Sequence, residues 1–306
     1  MNTKSQPPIR QKAIQKLSSF IMNPGRFSIL ILGDRGTGKL HWLKEVTQGT
    51  EISVVDGTDT ESTIGYWDEK LKKADNGILV ITNVENLSTK SQNLLFRAMQ
   101  TINGKFGFEE LEDKSFQVQI VFTSTYDISA FRNQEDFLSH RFYDRIAQLV
   151  VKFPSFKDYS KCILKDFEST WEKFNFEDHN KLPNGKINEW LEKNADRKLN
   201  GNFRDLDKIC INWHNQRLLR YQNNKISLEI EKEIYTEVIK DFEKYLKYPE
   251  HKSEIHDEFQ FPVDCKHNDI MIAFRQQYKK WAINEFGNLK TAGKTLGISH
   301  RTMEGW

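Results

Sequence analysis

The chain has 306 residues, 38% of them hydrophobic and 29% charged, with a formal net charge of only +2. That length exceeds one average domain and holds a sizeable core, the near-balanced charge excludes a polycation, and no run approaches the roughly 18 apolar residues of a membrane-spanning helix. The opening MNTKSQPPIRQK lacks the apolar stretch of a secretory signal, and Cys162, Cys210 and Cys265 are scattered in the manner of reduced thiols, so the chain reads as cytosolic.

Helical periodicity runs through residues 9–22 and stops at Asn23-Pro24-Gly25. Residues 28–32 (SILIL) then form a short apolar strand that feeds Gly33, Asp34, Arg35, Gly36, Thr37, Gly38, Lys39 and Leu40. Glycines in such a loop let successive backbone N–H groups turn inward on a phosphate, and the following helix adds its positive end. Lys39 would reach the β- and γ-phosphates, which makes ATP or ADP the expected ligand. Leu40 stands where the pattern G-x-x-x-x-G-K-[ST] places the hydroxyl that meets Mg²⁺, so metal binding is left open here.

A helix over 40–46 leads to a second strand at 52–55 (ISVV), and Asp56-Gly57-Thr58-Asp59 has turn chemistry. After a helix over 62–74, the run 78–81 (ILVI) has the unbroken apolarity of a buried parallel strand. The next helix turns Leu94, Leu95, Ala98 and Met99 inward, and 103–114 reads as a loop or hairpin. Further strands are expected at 118–122 (VQIVF) and 149–153 (LVVKF). Strands alternating with helices predict a doubly wound parallel α/β sheet. From 156 to 248 the chain is charged and helical, 249–268 has the texture of a linker, and 269–306 is helical again. In 271–306 six basic residues face two acidic ones, which marks this segment for an acidic partner.

Five motifs in this order resemble the AAA+ module of bacterial enhancer-binding proteins, the activators of sigma-54 RNA polymerase. The glycine loop is similar to their GESGTGKE, which also lacks a hydroxyl after the lysine. Residues 87–100 match L-P-x-x-x-Q-x-x-L-L-R-x-x-Q through Gln92, Leu94, Leu95, Arg97 and Gln100. The segment FLSHRFYDRI (137–146) is similar to F-R-x-D-L-Y-Y-R-L, and LNGNFRDL (199–206) to W-P-G-N-V-R-E-L. Finally GNLKTAGKTLGISHRTM (287–303) resembles their C-terminal Fis-type helix-turn-helix. The resemblance implies an AAA+ P-loop parallel sheet over 1–155, a helical lid over 156–248, a linker over 249–268 and an all-α helix-turn-helix domain over 269–306. It also implies homo-oligomers. Arg204 would contact the γ-phosphate from the lid, Thr125 would be the polar sensor, and Arg145 would be an arginine finger reaching a neighbour's nucleotide. Ser139 replaces the family's first finger arginine, with Arg141 close by.

In the C-terminal motif Asn288 is suited to cap the first helix, Ala292 and Leu296 to face its core, and Gly297 to make the turn. Ser299 would cap the recognition helix, from which His300, Arg301 and Glu304 point outward toward base edges. Lys290 and Lys294, with Lys279 and Lys280, are candidates for phosphate contacts, and Arg301 for reading a guanine.

The departures bear on mechanism. The family's third strand ends in Asp-Glu, which organise Mg²⁺ and polarise the attacking water, whereas this chain has Thr82 and Asn83. Glu85, two residues on, is the nearest acid; it aligns with a glycine of the family and is expected on the loop, with replacement of the lost acids by Glu85 the less favoured reading. No GAFTGA motif lies in the 43 positions from Lys39 to Thr82, so contact with the sigma factor is not expected. The sequence therefore predicts a DNA-binding regulator with an ATP-binding, hydrolysis-deficient module in which nucleotide controls assembly. Two alternatives stay open: an active ATPase remodelling a protein partner, and a scaffold that binds no nucleotide.

Overall fold

The central strands are buried throughout, so the sheet is covered on both faces. The computed structural model describes residues 7–99, 105–111, 115–127, 138–174, 181–220, 227–247, 275–276, 279–280, 282–283, 286–296, 299 and 302. Its strands are β1 (Ile29–Leu32), β2 (Ile52–Asp56), β3 (Ile78–Thr82), β4 (Lys105–Gly107), β5 (Ser115–Gln117), β6 (Gln119–Ser124) and β7 (Leu149–Lys152). Five of them form one parallel sheet in the order β2-β3-β6-β1-β7. β4 and β5 pair antiparallel beside it, within and just beyond the segment read as a loop or hairpin.

Successive side chains of β1 leave on opposite faces. Leu30 and Leu32 enter a core with Trp67, Leu71, Leu95 and Phe142, whereas Ile29 and Ile31 enter another with Leu17, Trp42 and Leu43. The helices that supply these partners are α1 (Pro8–Ile21), α2 (Lys39–Val46), α3 (Ile64–Lys73), α4 (Thr89–Ala98) and α5 (His140–Ile146). Both faces of the sheet are thus covered, as the strand–helix alternation predicts. Helix α4 starts at Thr89 because the Ser88 side chain accepts a hydrogen bond from Ser91 N and caps it there.

After β7 come α6 (Phe156–Tyr159), α7 (Ile163–Phe174), α8 (Lys186–Asn194), α9 (Phe203–Arg220) and α10 (Leu228–Lys247). Phe167, Trp171, Leu191, Leu206 and Trp213 bury the faces that α7, α8 and α9 turn inward. The sheet and this lid lie in one compact unit, Met1–Glu243, and Lys244–Trp306 forms a second. Within the second unit α11 (Leu289–Leu296) carries the expected cap: Asn288 Oδ1 accepts from Thr291 N at 2.8 Å and from Thr291 Oγ1 at 3.0 Å. The side chains of Ala292 and Leu296, and all of Gly297 and the 249–268 linker, lie outside the described residues.

Candidate functional site

Parallel sheets gather their loops at the carboxyl ends of the strands, and ligands bind there. A cleft of about 760 Å³ opens at that edge of this sheet. Its floor is the glycine loop. Gly36 and Gly38 have φ of 77° and 82°, left-handed values that a side chain resists, which explains glycine at these two places. Thr37 Oγ1 donates to Asp34 O at 2.9 Å and tightens the turn. Gly38 caps α2 without a side-chain acceptor, leaving the first N–H groups of that helix available to an anion.

Lys39 folds back over this loop. Its ammonium donates to Gly33 O at 2.6 Å and Asp34 O at 3.2 Å. Burial pushes its pKa down to about 8; the charges of Glu85 and Asp34 oppose the shift and that of Arg204 adds to it. A half-buried ammonium resting on carbonyls, with no direct carboxylate partner among the described residues, is suited to receive a phosphate.

The lid meets the loop directly. Asn202, almost fully buried and at φ of 52°, donates Nδ2 to Arg35 O at 2.9 Å, while its Oδ1 accepts from Phe156 N at 2.7 Å. Phe203 N donates to Gly36 O at 3.1 Å, and a Cβ added at Gly36 would run into the Gly201 carbonyl. This joint delivers Arg204 to the cleft wall, where the resemblance placed it.

The opposite wall is made by strand ends. Thr82 and Asn83 line the cleft, and both donate to Asp56 Oδ2, Thr82 Oγ1 at 3.1 Å and Asn83 Nδ2 at 2.7 Å. Asp56 also accepts from Thr58 N at 3.0 Å, the turn chemistry read from the sequence. Burial pushes its carboxyl up, but the hydrogen bonds from Thr58, Thr82 and Asn83 outweigh that and hold it below the ordinary value. Sequence reasoning missed Asp56 as a cleft residue. Its signal was available: an acid as the last residue of a parallel strand.

Glu85 lies on the loop after β3, as expected, and that loop lines the cleft, because Asn83 takes a left-handed φ of 51° and starts a short 3-10 turn over Val84–Asn86. Its Oε1 accepts from Thr125 Oγ1 at 3.1 Å and, more weakly, from Thr125 N at 3.4 Å. Thr125 also lines the cleft.

Arg10 was also missed. It falls on the buried face of α1 with Ala13, Ile14 and Leu17, and its guanidinium bonds both oxygens of Asp166 at 2.7 Å. Trp42, Tyr159 and Phe203 surround it, with ring centroids 5.7, 4.6 and 4.9 Å away. A charge at a buried helical position was the signal in the sequence.

Other predicted residues lie elsewhere. Arg145 donates to Met99 O within its own chain, and Arg141 sits over the Phe96 ring at 5.0 Å. Lys290, Lys294 and Ser299 are exposed in the second unit, and His300, Arg301 and Glu304 lie outside the described residues. Among the described residues no group of three or more His, Cys, Asp or Glu side chains could hold a metal ion. The glycine loop, the uncapped N–H groups at the start of α2 and the Lys39 ammonium fit a nucleotide's phosphates.

Comparison with known proteins agrees with this geometry. Residues 57–152 match the family model described as the Sigma-54 interaction domain. NtrX from Brucella abortus in complex with ATP has a TM-score of 0.58 at 14% identity, over 98% of this chain and 67% of that one. Its complex with ADP gives the same score and identity, over 98% and 66%. The RuvB Holliday junction branch migration motor of Thermotoga maritima has a TM-score of 0.52 at 14% identity, over 96% and 84%. No curated protein matches the chain. The chain thus spans about two thirds of the NtrX length and has the α/β fold of AAA+ modules.

Proposed function

We propose that this chain is a nucleotide-binding regulator that acts on double-stranded DNA and whose assembly is set by the nucleotide it holds. The observation that carries the reading is the half-buried Lys39 ammonium over a glycine loop whose backbone is pinned by the lid. The match to the Sigma-54 interaction domain and the likeness to NtrX, solved with ATP and with ADP, support nucleotide as the ligand. ATP or ADP would favour one homo-oligomeric state by binding it more tightly than the other. Thr82 and Asn83, in place of the strand-end acids, make turnover slow beside that of a working motor. The exposed Lys290 and Lys294 would contact DNA phosphates, and Arg301, by its place in the helix-turn-helix motif of the sequence, would read a base. The absence of a GAFTGA motif from the sequence supports output through DNA rather than through a sigma factor.

Binding of a fluorescent ATP analogue, followed by sedimentation with and without ATP, tests the nucleotide half. The full chain should bind and change its assembly, and Lys39→Ala should do neither. Nucleotide binding that survives Lys39→Ala would sink the reading. A mobility-shift titration with duplex DNA across a salt series tests the other half, and failure to shift any duplex at low salt would count against it.

A further inference from the structure

We infer that Glu85 supplies the water-activating carboxylate of this cleft, so that the switch carries a slow hydrolytic clock. The inference rests on the nucleotide-binding reading above and concerns what happens after ATP binds. Three observations carry it.

First, Glu85 lines the same cleft as the phosphate loop, Lys39 and Arg204. Second, its two oxygens are differentiated. Oε1 is held by Thr125 Oγ1 at 3.1 Å, while Oε2 is shielded from bulk solvent and has no hydrogen-bond partner among the described residues. An enclosed carboxylate oxygen without a donor is costly unless something else satisfies it. A water molecule between Oε2 and a bound phosphate would do so. Third, Glu85 exerts the largest favourable electrostatic influence on Lys39, which places its charge near the ammonium that would meet the terminal phosphates. The usual strand-end positions cannot do this work, because Thr82 and Asn83 both donate to Asp56 and neither is a base.

The step balances without a further reagent. Glu85 Oε2 accepts a proton from the water as its oxygen bonds to the γ-phosphorus. The bond from that phosphorus to the β,γ-bridging oxygen breaks, its electron pair leaves with ADP, and Glu85 returns the proton to the released phosphate. Thr125 acts as a positioning residue, fixing Oε1 so that Oε2 faces the water. General-base assistance of this kind contributes roughly 10²- to 10⁴-fold.

The test uses the full chain with Mg²⁺ and ATP, measuring phosphate release and ATP affinity on the same samples. The wild type should release phosphate slowly but above Lys39→Ala. Glu85→Gln should lower the rate at least tenfold while binding ATP as tightly or a few-fold more tightly, since a negative charge near the phosphates has been removed. Glu85→Asp, which keeps a carboxylate, should release phosphate faster than Glu85→Gln. Preserved binding in Glu85→Gln shows that the variant is folded. The inference is overturned if Glu85→Gln turns over at the wild-type rate, or if the wild type binds ATP yet releases phosphate no faster than Lys39→Ala. Failure of the wild type to bind ATP at all would overturn the nucleotide reading itself.

Discussion

Asp56 and Thr82 stand opposite one another where β2 and β3 end, and the Asp56 carboxylate takes hydrogen bonds from Thr82 and from Asn83 beyond it. The strand-end carboxylate of this cleft therefore belongs to the neighbouring strand. Asp56→Asn should destabilise the fold by about 1 kcal/mol at neutral pH, a small figure because the site is partly solvated. The carboxyl is held below its ordinary value in the fold, so its contribution is present above the unfolded value of about 3.9 and disappears as pH falls through the folded one. Urea midpoints of the two proteins should differ at pH 7 and converge in acid; a gap that persists at low pH would contradict the electrostatic account.

Lys39 gives the opposite pH signature. With a folded value of about 8, it loses its charge as pH rises through that point. Nucleotide affinity should weaken roughly tenfold between pH 7 and pH 9, as the protonated fraction falls. The same shift makes the charged lysine a burden on the fold below pH 8, relieved between about 8 and the unfolded value near 10.4. Lys39→Met should therefore melt higher than wild type at pH 7, with an advantage that shrinks toward pH 10. A flat difference between the two melting curves across this range would refute the assignment.

Asn202 is the residue on which loop and lid are joined. Asn202→Ala strips the partners from Phe156 N and Arg35 O, both in a buried setting, and should cost about 2–4 kcal/mol by denaturant unfolding. Asn202→Gly removes the same bonds but suits the left-handed φ of 52°. It should fall between wild type and the alanine variant, and a glycine variant as stable as wild type would show that the bonds contribute nothing.

The Arg10–Asp166 pair is buried at both ends, with side chains only 2% and 5% exposed. Breaking one partner strands the other charge, so Arg10→Met or Asp166→Leu alone should each cost about 3–5 kcal/mol. The double variant Arg10→Met with Asp166→Leu should be more stable than either single one. A double-mutant cycle checks this, and additive effects would mean that the two groups do not depend on one another.

In the second unit, Arg301→Ala should relax sequence preference by about 1–3 kcal/mol at one base pair. Lys290→Ala should instead weaken binding to all duplexes alike and reduce the salt slope by about one. Competition binding against single-base variants at fixed salt separates the two. Loss of affinity without loss of preference in Arg301→Ala would assign it to the backbone.

The sheet was legible because its strands are unbroken apolar runs such as 29–32 and 78–81, and the loop because glycines and a lysine follow the first of them. The resemblance in LNGNFRDL pointed to Arg204 and not to Asn202, whose joint with the loop was not read from the sequence. Asp56 and Arg10 were not found and Glu85 was named but set aside, each for its own reason. Asp56 looked like turn chemistry, which it also is. Glu85 sits two residues beyond the expected place, and the left-handed turn at Asn83 that brings it inward has no strong mark in an Asn-Val-Glu string. Arg10 stood out only as a charge on the apolar face of α1; its partners Asp166 and Tyr159 lie more than 140 positions away, and no local pattern names them.

The meeting of loop and lid has a consequence for where the cradle's accuracy comes from. A peptide unit is planar, so holding a carbonyl fixes the direction of the N–H on its other side. Asn202 holds the carbonyl of Arg35 and thereby aims the N–H of Gly36; Phe203 holds the carbonyl of Gly36, and the N–H of Thr37 on the far side of that peptide turns back to Asp34 O at 3.3 Å. The shape of the cradle is thus trained by residues more than 160 positions downstream, and the glycine loop is a sighted instrument only while the lid is attached to it.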